Sequence, residues 1–127
     1  MKFLSMIRIN ENAGLKPSPK LMEDMGKLME EATREGWLVS TEGLRPTSEG
    51  KRVRQRHGAI STTDGPFTET KEVIGGFAII EAASMEQAIE YTKRFLRVHG
   101  PEWDIECEVR PMGCGPSEAE ERQAKAA

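Results

Sequence analysis

Two segments of this 127-residue chain, residues 2–9 and 73–81, read as β-strands with apolar side chains on both faces, and that pattern limits the fold more than any other feature. In the first, Phe3, Ile7 and Ile9 alternate with Leu4 and Met6. A strand of that kind must be covered on both sides, yet only two segments carry the helical spacing that could supply a cover. One opens at Ser18-Pro19, a capping hydroxyl followed by a proline whose missing N–H costs nothing there. It places Leu21, Met22, Met25, Leu28, Met29 and Ala32 on one stripe and closes at Gly36. The other opens at Ser84 with Gln87 three residues on, runs Met85, Ala88, Ile89, Thr92, Phe95 and Leu96 along its inner face, and ends before Gly100-Pro101.

The remaining strands follow from turn chemistry. Residues 37–44 form a strand broken by Arg45-Pro46, and residues 53–56 pair with 59–62 across His57-Gly58, where glycine supplies the positive φ of a two-residue hairpin. Gly75-Gly76 marks a bulge or a close backbone approach, and residues 104–111 form the last strand, with Ile105, Cys107 and Val109 on one face. The order β-α-β-(hairpin)-β-α-β predicts an α+β fold of ferredoxin-like βαββαβ plan with an extra hairpin, both helices lying on one face of an antiparallel sheet. With no helix left for the other face, the simplest cover is a second copy of the sheet, which makes a homodimeric α+β barrel whose lumen is a natural pocket for a small molecule.

The length fits one domain, taken as residues 1–112, followed by a flexible tail at 113–127 with no apolar face to bury. Charged residues make up 31% of the chain and both signs are interspersed at a net charge of −3, so a nucleic-acid partner is not expected. The apolar run at the N-terminus is too short for a signal peptide and no stretch approaches a transmembrane length, so a cytoplasmic protein with no membrane partner is expected. Cys107 reads as a small buried hydrophobe, and its spacing from Cys114 matches no zinc site. No cofactor-binding fingerprint is present and carboxylates alone give no metal-ligand spacing, so neither a cofactor nor a metal is expected.

The densest group of chemistry-bearing residues is Asp64-Gly65-Pro66-Phe67-Thr68-Glu69-Thr70-Lys71-Glu72, directly before the strand that begins Val73-Ile74-Gly75-Gly76-Phe77. Asp64 can cap its own turn, or act as a general acid or base with its carboxylate held between a rigid bend and an apolar wall. Glu69, Lys71 and Glu72 are either a solvated loop or groups that orient a substrate and polarise a carbonyl. Arg52, Arg54 and Arg56 share one face of the hairpin, a cationic strip suited to a carboxylate or phosphate. Glu42, in a strand otherwise apolar or small, needs a partner if buried, and Arg54 or Arg110 could supply it.

The extended run, together with Gly43-Leu44 and Pro46, Val53-Arg54, Gly58 and Glu108-Val109-Arg110-Pro111, resembles the signature of the DGPF, or YCII-related, family of small bacterial proteins. The resemblance covers residues from about Gly36 to Met112. It implies a dimeric α+β barrel, and the residues themselves then read as a site for a small anionic or carbonyl-bearing molecule beside Asp64–Phe67, with Asp64 and Lys71 as catalytic groups. Glu42, Arg54, Phe67 and Glu69 would be the substrate-binding residues, and the chemistry would be cofactor-free and of isomerase, lyase or dehalogenase type. Many family members pair a histidine with an aspartate, whereas the first helix here has no histidine; His57 and His99 fall at a hairpin tip and a helix end. The resemblance also implies an alternative, a non-catalytic sensing module partnered with a sigma factor.

Overall fold

The computed structural model describes residues 1–67 and 73–113. Its elements are β1 (Lys2–Ile9), α1 (Pro19–Glu35), β2 (Leu38–Gly43), a short 3-10 turn (Thr47–Glu49), β3 (Lys51–Arg56), β4 (Ala59–Asp64), β5 (Val73–Glu81), α2 (Met85–Arg97) and β6 (Glu106–Pro111). Four strands form an antiparallel sheet in the order β2-β5-β1-β6, the ferredoxin-like arrangement, and among the described residues β3 and β4 pair only with each other.

Local chemistry fixes the helix ends. The Ser18 hydroxyl accepts from the Leu21 amide at 3.0 Å, Pro19 occupies the first turn, and Gly36 closes α1 in the left-handed region at φ 83°, its N–H bonded to the Ala32 and Thr33 carbonyls. In α2 the Ser84 hydroxyl accepts from the Gln87 amide, while the Gln87 side chain reaches back to accept from the Ala83 amide. That return bond falls one residue earlier than a regular capping box places it.

The helices cover one face of the sheet. Phe3, only 1% exposed, packs with Ile80, Leu28, Ala32, Trp37, Ala82 and Ala88. Burying a side chain of that size contributes roughly 1.5–3 kcal/mol. Trp37 and Tyr91 stack in parallel with centroids 4.3 Å apart, joining the start of β2 to α2. At the rim of this stack Arg94 donates to Glu35 at 3.0 Å and to Glu31 at 3.2 Å, while the Trp37 indole N–H also donates to Glu35. The hydrogen bond from Arg94 is the main reason the Glu35 carboxyl sits below its ordinary value of 4.5.

The strand register places Leu4, Met6 and Arg8 of β1 beside Ile79, Phe77 and Ile74 of β5 on the face opposite the helices. Glu42 of β2 and Glu106, Glu108 and Arg110 of β6 lie on the same face. Among the described residues no element covers it, and Ile74 is 43% exposed. Gly75 is the extra residue of a bulge opposite Ile7 and Arg8; a Cβ there would lie 2.5 Å from Ile9 Cδ1, so the Gly-Gly step is both a bulge and a close approach.

Candidate functional site

The signature turn lies at the base of the β3–β4 arm. Asp64 is paired with Lys51 across the first rung of the hairpin, and its side chain is 76% exposed. The Gly65 amide donates to the Gly50 carbonyl at 2.9 Å, and the Gly65–Pro66 peptide is cis. A Cβ on Gly65 would lie 1.7 Å from the Thr47 carbonyl oxygen, so only glycine lets the chain pass this close to the 3-10 turn. Phe67 lies under the Arg52 guanidinium at 3.9 Å from the ring centroid, a cation–π contact. These contacts latch the arm to the 46–50 turn.

Beside that latch is a shallow basin lined by Arg8, Leu44, Arg45, Arg52, Phe67 and Ile74. Its arginines already have partners. Arg8 donates to Glu108 at 3.0 Å and Arg45 is bridged to Glu49 at 2.9 Å. The positive charge available to a ligand is therefore largely offset.

A second cavity, of about 560 Å³, lies between the helices and the covered face of the sheet. Its walls are mostly apolar: Ile7 and Ile9 from β1, Leu21, Met22, Met25 and Met29 from α1, and Phe95, Trp103 and Ile105 from the far side. Polar side chains enter at Thr41 and His99, and β2 closes the edge at Glu42, whose register with Phe77 sets its side chain on the opposite face. The Thr41 hydroxyl already donates to the Phe77 carbonyl at 2.9 Å. His99 is held by edge contacts to Phe95 and Trp103, with centroids 5.0 and 5.7 Å away, and its Nδ1 lies 3.1 Å from the Phe95 carbonyl oxygen. A carbonyl only accepts, so this contact is a hydrogen bond donated by Nδ1–H, and in the corresponding neutral tautomer Nε2 is the acceptor.

Of the residues singled out from the sequence, Glu42 lines this cavity and Phe67 lines the basin. Asp64 and Arg54 line neither; Arg54 is exposed on the arm, and the arginine set against Phe67 is Arg52, one rung closer to the body. Glu69, Lys71 and Glu72 lie outside the described residues, as do Cys114 and most of the C-terminal tail. His99 reads from sequence as a helix-end residue, and the signal that it belongs to a cavity is the aromatic and apolar spacing around it, Phe95, Trp103 and Ile105. Among the described residues no three histidine, cysteine, aspartate or glutamate side chains gather as a metal-sized cluster, and no helix is long and apolar enough to cross a membrane.

The sequence model of the YCII-related domain matches residues 1–99. The chain belongs to the YCII-related domain family. The match takes in the first strand and first helix, which the signature motifs leave out. A relative, the uncharacterized protein R00369 of Rhizobium meliloti (strain 1021), is 31% identical over 93 residues, 73% of each chain. Two solved structures resemble this one at 13% identity. The first is the 5-chloro-2-hydroxyhydroquinone dehydrochlorinase TftG of Burkholderia phenoliruptrix AC1100 in complex with 2,5-dihydroxybenzoquinone, with 91% of this chain and 96% of that one covered at a TM-score of 0.46. The second is the divalent cation tolerance protein CutA1 of Thermus thermophilus, with 95% and 93% covered at 0.39.

Proposed function

We propose that this YCII-related protein binds a small molecule in the cavity between its helices and sheet, and that the ligand has a flat apolar body bearing one hydroxyl that donates to His99 Nε2. The observation that carries this reading is the conjunction of a cavity of about 560 Å³, walls of methionine and aromatic side chains, and a histidine whose Nδ1 is engaged by the Phe95 carbonyl. That volume lies within the range of small-ligand sites, which are mainly apolar with a few placed polar groups. Methionine walls adapt to a ring system at little cost, because the thioether chain is unbranched and polarisable. Such a hydroxyl is also positioned to pass its proton to Nε2, the O–H bond breaking as Nε2–H forms. Cofactor-free acid/base chemistry at this cavity therefore begins with His99.

The open face of the sheet supports a homodimer. Four strands of six to nine residues make a face about 19 Å by 20–30 Å at ordinary strand spacing and rise, in plan about half to two-thirds of one side of a standard interface. Its centre is apolar, with Leu4, Met6, Phe77 and Ile79, and its edges are charged, with Glu42 on one side and Glu106 and Arg110 on the other. A second copy matches that pattern without further elements.

Calorimetric titration with 1-naphthol tests the cavity. Binding at one site per chain is expected, with loss of binding in Met25→Trp and at least tenfold weakening in His99→Phe. Equal binding by wild type and Met25→Trp, with both folded by circular dichroism, contradicts the proposal.

A further inference from the structure

The β3–β4 arm is the part of the fold that neither the cavity nor the core uses. All twelve of its strand residues are exposed, and β3 and β4 pack substantially only on each other. An isolated two-stranded hairpin is marginally stable in water. The register divides it into two unlike faces. Val53 and Ile60, each 71% exposed, share one face with Gln55 and Thr62, and Arg52, Arg54 and Arg56 share the other with Ser61 and Thr63. Arg52 turns the arginine face toward Phe67 at the base, which leaves Val53 and Ile60 on the face away from that contact.

We propose that this arm docks on a second copy of the chain, seating the Val53 and Ile60 face against it, with the long side chains of Arg54 and Arg56 reaching from the opposite face around the ribbon's edge to its acidic groups. The inference rests on the reading that two copies meet at the open sheet face. Charge argues for a copy of this chain as the occupant. From Lys51 to Asp64 four lysines and arginines face one aspartate, a surplus of three, whereas the whole chain carries −3, so the rest of the molecule carries −6. A basic arm on an acidic body is repelled by other arms and attracted by other bodies, which selects arm-on-body contact between copies. The open sheet face also offers receiving groups, since Glu42 and Glu106 form no ion pair among the described residues. A two-fold axis lets each copy give one arm and receive one, and the assembly closes at two chains.

Sedimentation equilibrium on the full chain tests this. The wild type is compared with the double variant Val53→Ser/Ile60→Ser and with the charge reversal Arg54→Glu/Arg56→Glu. None of these residues contacts the core, so folding is checked by circular dichroism and is expected to hold. A factor of about ten for each arm multiplies over the two arms of the dimer, so the dissociation constant of either variant is expected to rise about a hundredfold or more. Added salt is expected to weaken the wild-type dimer and to leave the charge-reversed variant far less sensitive. A wild-type dimer whose variants dissociate within threefold of it overturns the arm proposal and leaves the sheet-face reading standing. A wild type that stays monomeric at all concentrations overturns both.

Discussion

Replacing Gly65 by alanine separates the two roles of the signature turn, as a latch or as a reactive centre. The new Cβ would lie 1.7 Å from the Thr47 carbonyl oxygen and 2.7 Å from its carbon, both backbone atoms that no side-chain rotation can move aside. Thr47 and Gly65 must part by about 1.3 Å to reach even the closest contact a Cβ tolerates. That shift breaks the Gly65-to-Gly50 bond and strains the Gly50-to-Thr47 bond, each now 2.9 Å. Two backbone bonds at about 0.5–1.5 kcal/mol each, plus an overpacking cost of about 1–3 kcal/mol, give a local destabilisation of roughly 2–6 kcal/mol. The arm lies outside the core, so the cost appears as local opening and not as global unfolding. Amide hydrogen exchange is the assay. Protection at Gly50 and Gly65 is expected to fall by at least about thirtyfold, while β1 and β5 amides change by less than about threefold. Gly43→Ala is the control, because nothing lies within 4 Å of its Cβ position. If Gly65→Ala leaves protection at the 46–66 segment as Gly43→Ala does, the latch reading is refuted.

Two further outcomes follow from perturbed ionisations. Arg94 holds the Glu35 carboxyl below its ordinary 4.5, so the pair's stabilisation is present above that value and fades as pH falls through the lower folded value. Wild type and Glu35→Gln are therefore expected to differ in melting temperature at pH 7 and to converge at acid pH, by differential scanning calorimetry; a gap that persists at pH 2 contradicts this. Burial pushes the Cys107 thiol above its ordinary 9.0, which keeps it neutral near pH 8. Alkylation by iodoacetamide in the native state is expected to be at least tenfold slower than in the unfolded chain, and equal rates measured by mass spectrometry would place the thiol in water.

Most of the fold was legible because its signals are local. Ser18-Pro19, Gly36 and Ser84 mark helix ends through backbone chemistry that operates within a few residues, and the structure keeps each of them. The Gly-Gly step in β5 announced its bulge for the same reason. The last strand begins at Glu106 where alternation suggested 104, since apolar alternation continues past the point where pairing with β1 stops. The site was less legible. Asp64 and Arg54 were prominent as charges near a rigid turn, yet sequence proximity does not say which way a hairpin leans. A change of one rung set Arg52, and not Arg54, over Phe67. The helix–sheet cavity gathers residues from β1, α1, β2, β5 and the segment after α2, so no local motif could assemble it. Its methionines read from sequence as core packing, which Met25 also provides.

The account turns on where the ligand goes. Titrating 1-naphthol into isotopically labelled protein and mapping amide and methyl shifts by NMR answers that directly. The account predicts perturbations at the Met25 and Met29 methyls, Leu21 and the His99 ring, with the Gly65 and Phe67 amides unmoved. Shifts confined to residues 64–67 and Arg54, with Met25 and His99 silent, would return the site to the signature turn and contradict the central claim.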